Sequence, residues 1–247
     1  MFRRRLGGFA ALLLASCASA PERERPPAAS DAAPDTPPPP ARCRPTSGIS
    51  AAPHTIAEVA ALANALPHPL SLTCFLESLD RPLELSAAVS TISLQPAPTP
   101  RSPRIFLFSG EVIMSVVPEG SGKDLIELSQ LVSGDRSLKA ELKFPLAAPL
   151  LPDDPFAHVR SDEGTTCRFC HPSETAAPEV SPSAFVSGAF SPLPRAMVAF
   201  DRVQAEHAAC DPLTEPDRCA FLQAIFGHGE VRARNFPPTV PTAFDRR

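Results

Sequence analysis

The 247 residues carry 23 Lys and Arg against 27 Asp and Glu, a net charge of −4, with 32 prolines, seven cysteines and neither Trp nor Tyr. Mild acidity with no basic patch argues against nucleic acid as a partner. The length suits one domain of ordinary size or two small ones.

The chain opens with a basic end (Arg3, Arg4, Arg5), an apolar run from Leu6 to Leu14, and small residues before Cys17. That run is far shorter than the ~20 apolar residues a membrane-spanning helix needs, but it suits the core of a secretory signal. Leu14-Ala15-Ser16-Cys17 resembles the lipobox of bacterial lipoproteins. The resemblance implies cleavage after Ser16 and acylation of Cys17, the membrane being reached through that lipid. Ala18 stands where retention in the inner membrane would favour Asp, so outer-membrane sorting is implied. The competing reading is an ordinary signal peptide cut near Ala18-Ser19-Ala20. Removing residues 1–16, which carry three arginines and no acid, takes the net charge from −4 to −7. Residues 17–42, with Pro21 to Pro40 ending in four consecutive prolines, cannot bury apolar surface and are expected to be an extended tether.

Folding is expected to begin near Cys43. Thr55-Ile56-Ala57-Glu58 is a capping box, with apolar residues following at helical spacing until Pro67. Leu83, Leu85, Ala87 and Val89 alternate with polar or small residues, and the apolar phase then slips to Ile92 and Leu94, which predicts a bulge near Thr91. Ile105–Phe108 and Val112–Val117 read as one buried strand bent at Ser109-Gly110. Leu125–Val132 and Leu138–Leu146 flank Gly134-Asp135, a hairpin signal. The second run puts Leu138, Ala140, Leu142, Phe144 and Leu146 on one face, opposite Lys139, Glu141 and Lys143. The fold class is therefore mainly β: an antiparallel sheet or sandwich over 43–148. A Pro-rich, loop-rich and partly helical region at 149–247 packs on it. Helices are expected around Val198–Ala209 and from Thr214, an N-cap, to Phe226, stopped by Gly227.

The chemistry-bearing pattern is Cys167-Arg168-Phe169-Cys170-His171. With seven cysteines and six histidines in the chain, Cys-x-x-Cys-His arises by chance only about 0.005 times. It resembles the attachment signature of c-type haem. There, two thiols three residues apart reach two vinyl groups of one porphyrin, and the adjacent imidazole becomes an axial ligand of the iron. The resemblance covers five residues and no fold: the small helical cytochromes place the motif after an N-terminal helix, whereas a β region precedes it here. Met197 and His207, downstream, are the candidate sixth ligands. A Cys167–Cys170 disulfide and a zinc site are the alternatives, the latter lacking an evident fourth ligand.

Four cysteines remain once Cys17 is lipidated and the motif is set aside. Cys43–Cys74 and Cys210–Cys219 form the natural pairing of the three possible. Gly120-Ser121-Gly122-Lys123 evokes a P-loop, but Val117 and Asp124 occupy key positions and it reads as a turn. No nucleophile elbow or zincin motif occurs, so no catalytic residues are assigned. Glu206-His207 and His228-Gly229-Glu230 read as surface and helix-cap residues, and Met114 as core. Two functions follow as expectations. One is an envelope lipoprotein holding haem c and exchanging electrons with a periplasmic partner or sensing. The other is a non-enzymatic, disulfide-stapled β-rich lipoprotein that binds or scaffolds.

Overall fold

The computed structural model describes residues 43–46 and 48–245. The signal sequence, Cys17 and the expected tether up to residue 42 lie outside the described residues.

Helix α1 (Ile56–Asn64) starts where the capping box places it. Thr55 Oγ1 accepts from Glu58 N at 3.2 Å. The return bond is displaced by one residue: the Glu58 carboxylate takes the N–H of His54, at 2.6 Å, rather than that of Thr55. Helix α2 (Leu72–Ser78) is capped by Ser71 and tied to the start of the fold by the Cys43–Cys74 disulfide.

Strand β1 (Leu83–Ala88) follows. The expected bulge near Thr91 is absent: β1 ends at Ala88, and residues 91–95 form a loop closed by a bridge between Ser90 and Ala97. The apolar phase slips at Ile92 and Leu94 because these residues leave the sheet, Ile92 being 83% exposed. Nor is 105–117 one bent strand. It is a hairpin, β2 (Arg104–Ser109) and β3 (Val112–Val116), with Ser109 opposite Val112. Gly110 turns it at φ +54°, suiting a two-residue turn that takes glycine first, and a Cβ there would fall 2.5 Å from the His54 ring.

The hairpin expected at Gly134-Asp135 is present as β4 (Leu125–Ser133) and β5 (Arg136–Lys143). Its register shifts between Leu131 and Ser133. Without the shift, the two-residue turn would set Leu128 against Glu141. With it, Leu128 meets Ala140 and Ile126 meets Leu142, so both strands keep their apolar residues on one face.

The chain beyond residue 149 joins the same sheet. After a short helix α3 (Asp154–Ala157) come a small separate hairpin, β6 (Arg160–Ser161) and β7 (Gly164–Thr165), and then β8 (Thr175–Ala176) and β9 (Phe185–Gly188). Then follow β10 (Met197–Val198), α4 (Phe200–Ala208), α5 (Pro216–Phe226) and β11 (Val231–Ala233). The sheet runs β10-β1-β2-β3-β4-β5-β9-β8. β11 pairs parallel to β1, so this is one mixed nine-stranded sheet, neither purely antiparallel nor a sandwich. Helix α5 begins at Pro216 with Glu215 before it; Thr214 instead turns back onto Asp211, so the expected cap at Thr214 is not used. The Cys210–Cys219 disulfide joins the end of α4 to α5, as the pairing predicted. The described residues belong to one compact unit.

The two faces of the sheet differ. On one, Leu85, Ile105, Leu107, Met114, Ile126, Leu138 and Leu142 pack with Ile56, Leu62, Phe75 and Leu76 of α1 and α2 and with Leu222 and Ile225 of α5. Each large side chain fully buried there contributes roughly 1.5–3 kcal/mol. The other face carries Phe106, Ser115, Glu127, Ser129, Lys139 and Glu141, paired across strands as Phe106–Ser115, Ser115–Glu127, Glu127–Glu141 and Ser129–Lys139.

Candidate functional site

The second face forms the floor of a cleft with an enclosed volume of about 140 Å³. Cys167, Cys170 and His171 line one wall. Ile92 and Leu94, from the loop after β1, and Phe236, from the C-terminal segment, line others. Phe236 is held edge-on against Phe106 and Phe108, with ring centroids 5.0 and 5.1 Å away.

The motif sits on a short 3₁₀ turn, Thr166–Phe169, not at the end of an α-helix. Buried Thr165 sets it. Thr165 N donates to the Glu174 carboxylate at 2.9 Å, and Thr165 Oγ1 donates to the other oxygen of that carboxylate. The same Oγ1 accepts from Cys167 N at 3.1 Å, capping the turn. The Cys167 carbonyl then accepts from Cys170 N at 3.1 Å and His171 N at 2.8 Å, which brings Cys170 round by one turn. Gly164 precedes this arrangement at φ +129°, where a Cβ would lie 2.4 Å from Glu174 Oε2. Only glycine leaves room for the carboxylate that holds Thr165.

His171 is oriented twice. Its ring stacks on Phe190, centroids 5.5 Å apart, and Nδ1 lies 2.8 Å from the Gly188 carbonyl oxygen. A carbonyl only accepts, so Nδ1 carries the proton and the lone pair falls on Nε2. This tautomer is the one that imidazole ligands commonly adopt when a backbone carbonyl orients them. Gly188 N in turn donates to the Pro172 carbonyl at 3.1 Å, clasping the motif to the end of β9.

Cys167 and Cys170 are not bonded to each other. Cys170 is exposed, whereas burial pushes the Cys167 thiol up to about 11 from its usual 9.0. Among the described residues, no group of three or more His, Cys, Asp or Glu could hold a metal ion, so the zinc alternative gains no support.

The floor is polar and tightly bonded. Arg104 pairs with Glu127, and it donates to Ser115 Oγ and, at 2.6 Å, to Ser93 Oγ. Fully buried Gln95 accepts from Ser115 Oγ at 2.7 Å and donates to the Leu125 carbonyl at 2.9 Å. Lys139, 5% exposed, donates to Ser129 Oγ at 3.2 Å. Burial lowers the Lys139 ammonium to about 8, against the opposing influence of Cys167 and Glu127. Burial, reinforced by the neighbouring Glu127 charge, raises the Glu141 carboxyl to about 7.

The two expected sixth ligands lie elsewhere. Met197 stands on β10, and His207 on α4 has Nε2 2.9 Å from Gln223 Oε1 and its ring on Phe226. Neither lines the cleft. Sequence reasoning missed Arg104, Glu127, Lys139 and Phe236. The pairing of Ser129 with Lys139 depends on the β4–β5 register shift, and no local pattern reveals that the C-terminal segment covers Phe106. Comparison with protein-family models, with curated proteins and with solved structures returned no match.

Proposed function

We propose that this chain is a lipid-anchored cell-envelope protein that carries one c-type haem on Cys167, Cys170 and His171 and serves electron transfer or sensing. One observation carries the reading: the two motif thiols are unbridged while Cys43, Cys74, Cys210 and Cys219 are paired, and both thiols line one cleft with an imidazole whose tautomer is fixed. The paired cysteines favour an oxidising compartment, where c-type haem is attached. The lipobox supports anchoring through Cys17, and the sorting signal at Ala18 supports the outer membrane. No helix among the described residues is long and apolar enough to cross a membrane.

The cleft residues fit such a group. When bound, haem supplies a one-electron couple. Cys167 and Cys170 would hold it by adding their thiol S–H groups across its two vinyl groups, and His171, set by Gly188 and Phe190, would offer its Nε2. Phe106, Phe190 and Phe236 supply apolar surface that limits water at the site. Lys139 places an ammonium on the floor beside the Arg104–Glu127 pair, where a carboxylate substituent of a ligand would be neutralised.

The test is production of the full precursor with cytochrome c maturation machinery. A Soret band is expected, with haem staining that survives denaturing electrophoresis and is lost in the Cys167→Ala/Cys170→Ala double variant. Lipid labelling is expected, and Cys17→Ala should abolish it. A colourless protein with a Cys167–Cys170 disulfide refutes the haem reading. The binding or scaffolding reading would then stand, and the exposed Ile92 and Leu94 at the cleft favour an apolar ligand for it.

A further inference from the structure

We infer that the floor of the cleft binds a small organic acid, its carboxylate on Lys139 and its apolar body against the aromatic walls. This goes beyond the haem reading, because the site is built on β5 and its neighbours rather than on Cys167, Cys170 and His171. Lys139 is 5% exposed, yet it lines the cleft together with Ser129. An ammonium has three N–H donors. Ser129 Oγ takes one at 3.2 Å and itself donates onward to Ser137 Oγ at 2.8 Å. Among the described residues no carboxylate lies within 4.0 Å of Lys139. The carboxylates whose charge reaches it are committed elsewhere, Glu127 to Arg104 and Glu174 to both donors of Thr165. Glu141, two residues along the same face, feels Glu127 and Lys143 instead. A buried cation without a counter-ion is costly, and a carboxylate entering the cleft would supply one.

The rest of the cleft sets the size and character of that acid. Phe106 and Ile113 from the sheet, Val159, Phe190, and Phe236 and Val240 from the C-terminal segment make apolar walls. The enclosed volume of about 140 Å³ is close to that of a ~150 Å³ apolar cavity that accommodates benzene. One aromatic ring or a chain of about six carbons would therefore fill it. A longer tail would leave past Ile92 and Leu94, which line the cleft while staying 83% and 52% exposed. One cation without a counter-ion beneath apolar walls selects a single acid group on an apolar body. It disfavours sugars and peptides, whose hydroxyls and amides would lose water without gaining partners.

The experiment titrates the full chain with benzoate and with benzyl alcohol, its uncharged counterpart, by isothermal calorimetry, and records haem staining on the same sample. Saturable benzoate binding is expected, with benzyl alcohol about 10- to 100-fold weaker for want of a charge-assisted contact. Lys139→Gln should weaken benzoate by a similar factor and leave benzyl alcohol unchanged, with circular dichroism unaltered. Phe236→Ala, which removes apolar wall and no charge, should weaken both probes alike. Absence of saturable benzoate binding in wild type, equal affinity for the two probes, or wild-type benzoate affinity in Lys139→Gln overturns the site. Should Lys139→Gln not fold, unchanged benzoate affinity in Phe236→Ala overturns it instead. Staining decides the haem reading separately. A colourless protein that binds benzoate keeps this site and loses the haem, whereas a stained protein that does not bind benzoate keeps the haem and loses this site.

Discussion

Glu174→Ala should loosen the motif turn without unfolding the protein. The Glu174 carboxylate accepts both donors of Thr165, and Thr165 is fully buried and caps the turn that carries Cys167. Removing the carboxylate leaves the Thr165 N–H with no acceptor; the hydroxyl can rotate toward another. An unsatisfied buried donor costs about 1–3 kcal/mol, and the lost bond to a charged acceptor places this site at about 2–3 kcal/mol. That cost falls on a local opening, because the β6–β7 hairpin stands outside the main sheet. Hydrogen exchange across residues 160–171 should therefore speed up about 30- to 150-fold. Amides of β3 and β4, in the centre of the sheet, should keep their wild-type rates. In a Cys170→Ser background, alkylation of Cys167 should accelerate in parallel, as its thiol escapes the burial that raises it to about 11. Wild-type exchange at residues 165–171 would refute the proposed role of Glu174, and an equal acceleration throughout the sheet would show that the turn is not an independent unit.

Two other outcomes test the physical picture. Arg218 on α5 is 3% exposed and bonds Glu206 at 2.9 Å, Glu215 at 3.0 Å and the Arg101 carbonyl at 2.7 Å, so Arg218→Leu should cost roughly 3 kcal/mol in urea unfolding. A loss under about 1 kcal/mol would mean that Glu206 and Glu215 rehydrate freely. The folded pKa of Glu141, about 7, lies above its ordinary 4.5, so the native state retains a proton that the unfolded chain releases between those values. Stability should fall as pH rises from about 4.5 to about 7, by on the order of 1–2 kcal/mol after solvent screening, and Glu141→Gln should remove that fall; identical pH profiles for the two proteins would contradict it.

Local chemistry made some of this legible. The capping box located α1, the Gly134-Asp135 pair located the β4–β5 hairpin, and cysteine spacing located both disulfides. Errors arose where two local readings fit equally well. A two-residue break between apolar runs fits a bend as well as a hairpin, and the left-handed Gly110 decides for the hairpin. A slip in apolar phase fits a bulge as well as an exit from the sheet, and exposed Ile92 decides for the exit. Thr214 has a good N-cap side chain, but Pro216 starts the helix and Asp211 engages Thr214 first. The site was half legible: Cys-x-x-Cys-His announces itself, whereas its floor is assembled from four strands and a distant C-terminal segment. Alternation made Lys139 the outward neighbour of core residues, and only the tertiary fold reveals that outward here means into a cleft.

This division of the sheet separates stability from function. The helix-covered face holds the main apolar core and can stabilise the domain without the cleft. The cleft face then tolerates features that disfavour folding: a buried ammonium without a carboxylate, a carboxyl group held partly protonated, and a thiol shielded from water. Such features persist where a site needs them. Replacing Lys139 or Glu141 with an uncharged residue should therefore stabilise the domain while impairing what the cleft holds, whereas core substitutions such as Leu107→Ala should destabilise it and leave the chemistry of the surviving folded fraction unchanged.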